Sequence, residues 1–149
     1  MEQCRGNGRM YRSKTGMLAL FQEKTRYEEV FVVTEEVYNT FQVCSRDKNP
    51  LHVDETFARA KGFRDKVMYG NILNAFISYF VGECLPTKDV IIHSQEINYK
   101  NPVYLGDELQ FDAVVEGVYE SVNAVVFKFR FSNQGKIMAK GKIQIGVFI

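Results

Sequence analysis

Two periodicities run along the chain and divide it. Tyr27 to Val33, YEEVFVV, is rich in β-branched and aromatic residues and predicts a first strand. Beyond Thr34, Val37, Tyr38 and Phe41 recur at three- and four-residue spacing, with Cys44 ending the series. That is one buried face of a short helix reaching about Ser45. Thr34 suits its N-cap, and Glu35 and Glu36 fall in the first turn, where negative charge favours the helix dipole. Asp54 is placed to cap a second short helix, Glu55 to Lys61, with Gly62 past its end and Phe57 and Ala58 turned inward. A third helix spans Asn71 to about Cys84. Ile72, Leu73, Phe76, Ile77, Phe80 and Val81 give it a broad apolar surface, widened by Ala75 and Tyr79. Only Asn71, Asn74 and Ser78 form a narrow polar stripe, and a helix apolar nearly all round is buried. Gly82 and Pro86 end it.

The remainder has period two. Val90 to Lys100 comes first, then Leu109, Phe111, Ala113 and Val115 alternate with Gln110, Asp112 and Glu116. Val125 to Phe131 and Ile137 to Val147 repeat the pattern around an Asn133-Gln134-Gly135 turn. Strict alternation means antiparallel strands with one buried and one wet face. One strand and three helices followed by four strands pack most simply as a curved antiparallel sheet around the single apolar helix, an α+β class.

Length and composition narrow the setting. The 149 residues suit one domain, and 46% hydrophobic with 25% charged residues is an ordinary globular balance. A net charge of +1 gives no electrostatic reason to expect nucleic acid or an acidic membrane surface. Cys4, Cys44 and Cys84 are odd in number and far apart, which suits reduced thiols in a cytoplasmic protein. No apolar run approaches the roughly 20 residues of a membrane helix. Residues 1–20 read as a poorly ordered basic extension and 21–149 as the single domain. The run Met17 to Phe21 is too short for a signal-peptide core, and Gly6-Asn7-Gly8 follows no strand, so it is no phosphate loop.

The chemistry concentrates in Asp47 to Gly70, DKNPLHVDETFARAKGFRDKVMYG. Pro50 fixes its own φ and keeps Asn49 out of the helical region, so an ordered turn holds Asp47, Asn49, His52 and Asp54 together. Taken singly, Asp47 could be a turn-former and His52 a satisfied core group. Asp54 reads as a helix cap. His52-x-Asp54 has only His93 as a further histidine, and no four-ligand metal spacing exists. His93 reads as structural; Gln95 points the same way from its strand and lines either packing or a substrate channel. Gly70 either closes the loop tightly or lets a ligand approach the backbone at a helix N-terminus. Lys61, Arg64 and Lys66 are either a solvated loop or phosphate contacts.

Together these residues form D-x-N-P-L-H-x-D, then F-A, then G-F, then a glycine heading a helix: Asp47, Asn49, Pro50, Leu51, His52, Asp54, Phe57, Ala58, Gly62, Phe63 and Gly70. The pattern resembles the MaoC-like dehydratases, the (R)-specific enoyl-CoA hydratases also called the hydratase 2 family. Tyr99, Pro102, Val103, Gly106 and Asp107 resemble the family's Y-x-x-P-V-x-x-G-D, and the likeness covers roughly Val33 to the C-terminus. Arg46, Tyr69 and Asn71 stand where the family usually has Gly, His and Met, and would flank the pocket.

The resemblance implies a hot-dog fold, a sheet wrapped round one long central helix. It implies a cytoplasmic hydro-lyase that hydrates trans-2-enoyl-CoA to (R)-3-hydroxyacyl-CoA and runs the reverse dehydration. Asp47 and His52 would be the catalytic pair and the Gly70 N–H the oxyanion donor, with Asn49, Tyr69, Asn71 and Gln95 supporting or binding substrate. No metal or other cofactor is implied, because coenzyme A, or an acyl-carrier protein in its place, is part of the substrate. The family pairs two hot dogs, so a homodimer or higher homo-oligomer is expected. The rival readings are a hot-dog acyl-CoA thioesterase and a non-catalytic acyl-thioester-binding module.

Overall fold

The structure, a computed structural model, describes residues 15–148. Its sheet has five strands, all antiparallel, in the order β1-β3-β4-β5-β2. They are β1 (Arg26–Val32), β2 (Val90–Tyr99), β3 (Glu108–Tyr119), β4 (Ala124–Asn133) and β5 (Lys136–Val147). The period-two pattern is obeyed. Leu109, Phe111, Ala113 and Val115 of β3 and Phe127, Phe129 and Phe131 of β4 are buried on one face. Lys128 and Lys142 stand opposite one another on the other face, as do Arg130 and Lys140. Glu116, bulged between Val115 and Gly117, bridges Lys128 and Lys142, so one carboxylate offsets part of the repulsion between them.

Five α-helical segments accompany the sheet: α1 (Thr15–Leu18), α2 (Glu35–Ser45), α3 (Pro50–Val53), α4 (Glu55–Ala60) and α5 (Ile72–Tyr79). The expected α+β class, with the sheet curled round the apolar helix, is what forms. Thr34 caps α2 by accepting the Val37 N–H, and Asp54 caps α4 by accepting that of Phe57. Where an ordered turn was expected at Asn49-Pro50, there is a full helical turn, α3, with Pro50 at its start and Asn49 as its cap.

Three expectations need correction. The extension expected over residues 1–20 divides: 1–14 lie outside the described residues, while α1 places Leu18 in the core with Phe21 close behind. Phe21 meets Phe127 edge to face, so the short apolar run packs into the core. Cys44 and Phe57 lie exposed rather than on the inner faces of their helices, because α2 and α4 each bury only a narrow stripe. The central helix is not buried all round. Ile72, Leu73, Phe76 and Ile77 face the sheet, while Ala75, Ser78 and Tyr79 stay open, since a single curved sheet covers one side only. Its last turn, Phe80–Cys84, widens to a π-helix, with Phe80 and Val81 both buried. No helix among the described residues is long and apolar enough to cross a membrane.

Candidate active site

The Asn-Pro turn brings Asp47 and His52 face to face. Asp47 Oδ2 lies 3.8 Å from His52 Nε2. That is too long for a direct hydrogen bond and leaves a gap between two polar atoms. Each is oriented by the backbone. Asp47 Oδ1 accepts the Asn49 N–H at 2.9 Å, which turns Oδ2 towards the ring. Asn49 Oδ1 in turn accepts the Leu51 N–H at 2.9 Å, so Asn49 holds the turn. His52 Nδ1 lies 2.7 Å from the Val67 carbonyl. A carbonyl only accepts, so Nδ1 carries the proton and, in the neutral ring, Nε2 offers a lone pair towards Asp47. The His52 side chain is 16% exposed and that of Asp47 is 45% exposed, so water reaches the carboxylate.

Neighbouring elements fix this loop. The Tyr38 hydroxyl on α2 lies 2.6 Å from the His52 carbonyl and 3.1 Å from the Val67 carbonyl. Burial pushes its pKa up to about 12, and Tyr69 and Asp65 add to the shift. Tyr69 donates to the Asp47 carbonyl at 3.0 Å and stacks on the His52 ring, centroids 4.3 Å apart. Its own pKa is raised, by burial first and then by Asp47. Sequence reasoning put Tyr38 in the core and gave it no part in the site. The one signal was a hydroxyl on an otherwise apolar helix face, which needs a partner when buried.

The second motif is scaffolding for the first. Met68 donates to the Val103 carbonyl, and Val67 pairs with Tyr104 in a single antiparallel bridge. Gly106 adopts φ +88°, which glycine alone takes readily, and its N–H reaches the Val33 carbonyl at 2.7 Å. Asp107 accepts the Tyr104 N–H and pairs with Arg64, which also lies over the Tyr104 ring. Arg64 therefore has structural partners. Lys61 and Lys66 lie over the Phe57 and Tyr38 rings.

A cleft of about 350 Å³ opens beside His52, lined by His52, Phe63, Met68, Gly70, Leu73 and Tyr99 among others; Asp47 stands outside its lining, 3.8 Å across from the His52 ring. Gly70 sits at its edge, just before α5. The Ile72 and Leu73 N–H groups turn back into the helix, to Tyr69 and Gly70, whereas the Asn71 N–H, like that of Gly70, makes no such bond among the described residues. Among the described residues no acceptor faces the Gly70 N–H. The Tyr99 ring covers Gly70 so closely that a Cβ there would meet it at 3.0 Å. Tyr69 and Asn71 do not line this cleft. Tyr69 lies behind His52, and Asn71 accepts from Asn74, which Gln95 Nε2 also reaches from β2. The amides Asn71, Asn74 and Gln95 thus form one hydrogen-bonded row along the polar edge of α5. A larger hollow of about 620 Å³ lies among Arg26, Lys128, Arg130, Lys140 and Lys142, and neither Asp47 nor His52 lines it. Volume alone does not make it the site, because it lacks the convergent acceptor pair. His93 covers Gly146 on the neighbouring strand, a packing role.

The chain is similar to known proteins along most of its length. A family model described as "MaoC like domain" matches residues 18–133. An (R)-specific enoyl-CoA hydratase from Aeromonas caviae is 32% identical over 66% of this chain and 74% of its own. A mitochondrial 3-hydroxyacyl-[acyl-carrier-protein] dehydratase from Arabidopsis thaliana is 26% identical over 74% of this chain and 67% of its own. The unliganded R-hydratase structure from Pseudomonas aeruginosa aligns with a TM-score of 0.79 at 27% identity, covering 87% of this chain and 84% of that one.

Proposed function

The chain belongs to the MaoC-like domain family and is a hydro-lyase, and from that premise we propose that it hydrates trans-2-enoyl thioesters to (R)-3-hydroxyacyl thioesters and catalyses the reverse dehydration. The observation that carries this reading is the 3.8 Å opposition of Asp47 Oδ2 and His52 Nε2. Two acceptors at that separation hold one water by its two protons, which leaves the oxygen lone pairs directed at substrate. Asp47 takes a proton as the water oxygen bonds to the β-carbon, with His52 holding the same water. The C=C electrons move to the thioester oxygen, and the Gly70 N–H at the head of α5 stabilises the enolate, aided by the helix dipole. Returning the proton to the α-carbon on the same face completes a syn addition of water. The proposed steps call on no metal or redox group, and the thioester carrier, coenzyme A or a carrier protein, enters as part of the substrate.

We propose also that the working unit is at least a homodimer. β2 is an edge strand of ten residues whose Ile91 and Ile92 are exposed, and Ala75 and Tyr79 of α5 lie open. A long apolar edge left unpaired would invite aggregation.

The test is incubation with trans-2-butenoyl-CoA, following loss of the enoyl absorbance and identifying the product. The expected product is (R)-3-hydroxybutyryl-CoA with no free thiol released. Release of thiol and free acid would establish a thioesterase instead, and neither reaction would establish a binding module.

A further inference from the structure

We propose that Tyr69 is the positioning residue that sets the separation of Asp47 and His52; this rests on the reading of those two as the catalytic pair. The bond from His52 Nδ1 to the Val67 carbonyl fixes one point of the ring. It leaves the ring free to turn about that contact. The Tyr69 face removes this freedom, stacking at 4.3 Å with 29° between the planes. Asp47 lies on an exposed stretch, and among the described residues its carboxylate accepts a hydrogen bond only from Asn49 two residues on. The Tyr69 hydroxyl holds the Asp47 backbone carbonyl at 3.0 Å. One side chain thus grips both halves of the pair, the ring of one and the main chain of the other.

Tyr69 is itself buried. It is 2% exposed and packs against Tyr38 and Phe41 of α2, with centroids 5.2 and 5.3 Å away. Its carbonyl accepts the Ile72 N–H that starts α5, and the next residue is Gly70. A shift of Tyr69 would therefore move the water-binding gap and the oxyanion donor together. Misplacement by about 1 Å in a reacting site can reduce rate roughly a hundredfold, so a single hydroxyl with this geometry should register in turnover.

The variant is Tyr69→Phe, which keeps the stack and deletes the bond to Asp47. Wild type, Tyr69→Phe, Asp47→Asn and the double variant are assayed on trans-2-butenoyl-CoA, with folding followed by circular dichroism. Tyr69→Phe is expected to lower kcat about tenfold with KM changed less than about twofold. In the Asp47→Asn background the same change should alter kcat less than about twofold, because the group it positions is already gone. An equal loss in both backgrounds, or no loss in either, overturns the proposal, since a merely structural role would act regardless of Asp47. A crystal structure of Tyr69→Phe gives a readout free of activity: an unchanged Nε2–Oδ2 separation and ring plane also overturn it. A wild type that hydrates nothing would instead remove the functional reading, and the crystallographic result would still decide whether Tyr69 sets the geometry.

Discussion

Asp47→Asn keeps the shape of the side chain and removes the base, and His52→Gln keeps a hydrogen-bonding group and removes the imidazole. Each should lower kcat on trans-2-butenoyl-CoA by about 10²–10⁴-fold, the usual contribution of a general acid–base group. In the proposed mechanism both act on one water across a 3.8 Å gap, so the double variant should be little worse than the poorer single one. Folded single variants that hydrate within a few-fold of wild type would remove the pair from the mechanism. Gly70→Val tests the third group. Its Cβ would press on Tyr99 at 3.0 Å and its branches would enter the cleft. Turnover should fall roughly tenfold or more while the far-ultraviolet spectrum persists, because the proposed oxyanion donor is displaced. Unchanged turnover in a folded Gly70→Val protein would show that this N–H does not receive the substrate.

At the scale of elements, two short helices share one design and differ in what they carry. Asn49 caps α3, which presents His52, and Asp54 caps α4, which presents no group to the cleft. Either change to alanine should cost about 1 kcal/mol through the lost cap. Asp54→Ala should leave kcat near wild type, whereas Asn49→Ala should lower kcat as well, because the turn between Asp47 and His52 loosens. Urea midpoints measured beside kcat separate the two. Equal effects on kcat would mean that Asn49 does no more than cap. The same scale explains why α5 is half open. Its apolar residues outnumber what one curved sheet can cover, so Ala75 and Tyr79 remain outside the core.

For the whole molecule, the free β2 edge and the open side of α5 lead to an expected solution mass of at least twice that of one chain, measured by light scattering at micromolar concentration. A strictly monomeric protein with full hydratase activity would remove the dimer from the account. Alkaline pH gives a second global test. Tyr38 is pushed up to about 12, and Tyr27, Tyr69 and Tyr99 are also raised, burial being the first cause in each. An unfolded chain releases its phenolic protons near pH 10 while the native state keeps them. The native state then binds more protons, so stability is complete below about pH 10 and falls as pH rises towards about 12. Tyr38 alone accounts for at most about 2–3 kcal/mol of this fall. Tyr38→Phe should make stability fall less steeply in urea titrations between about pH 9 and 11. An unchanged slope would mean that its phenol is not held protonated by the fold.

The sequence by itself determined the α+β class, the strands, the caps at Thr34 and Asp54, and the pairing of Asp47 with His52. These are local matters. Period two, helical spacing and a proline-fixed turn act over a few residues and leave a trace in the order of side chains. The D-x-N-P-L-H run was legible because one rigid turn carries both groups. Strand order was not legible, since β2 pairs with β5 across the whole of β3 and β4, and β1 pairs with β3, contacts that alternation cannot specify. Nor was the open side of α5, because hydrophobicity says that a face avoids water and not what covers it. The roles of Tyr38 and Tyr69 were decided only in three dimensions. Tyr38 read as an apolar position and Tyr69 as a residue flanking the pocket, and only packing α2 against the 63–70 loop brings their hydroxyls onto the carbonyls of His52 and Asp47. Side-chain order encodes which surfaces are buried, but the distance between two polar atoms depends on every element packed behind them.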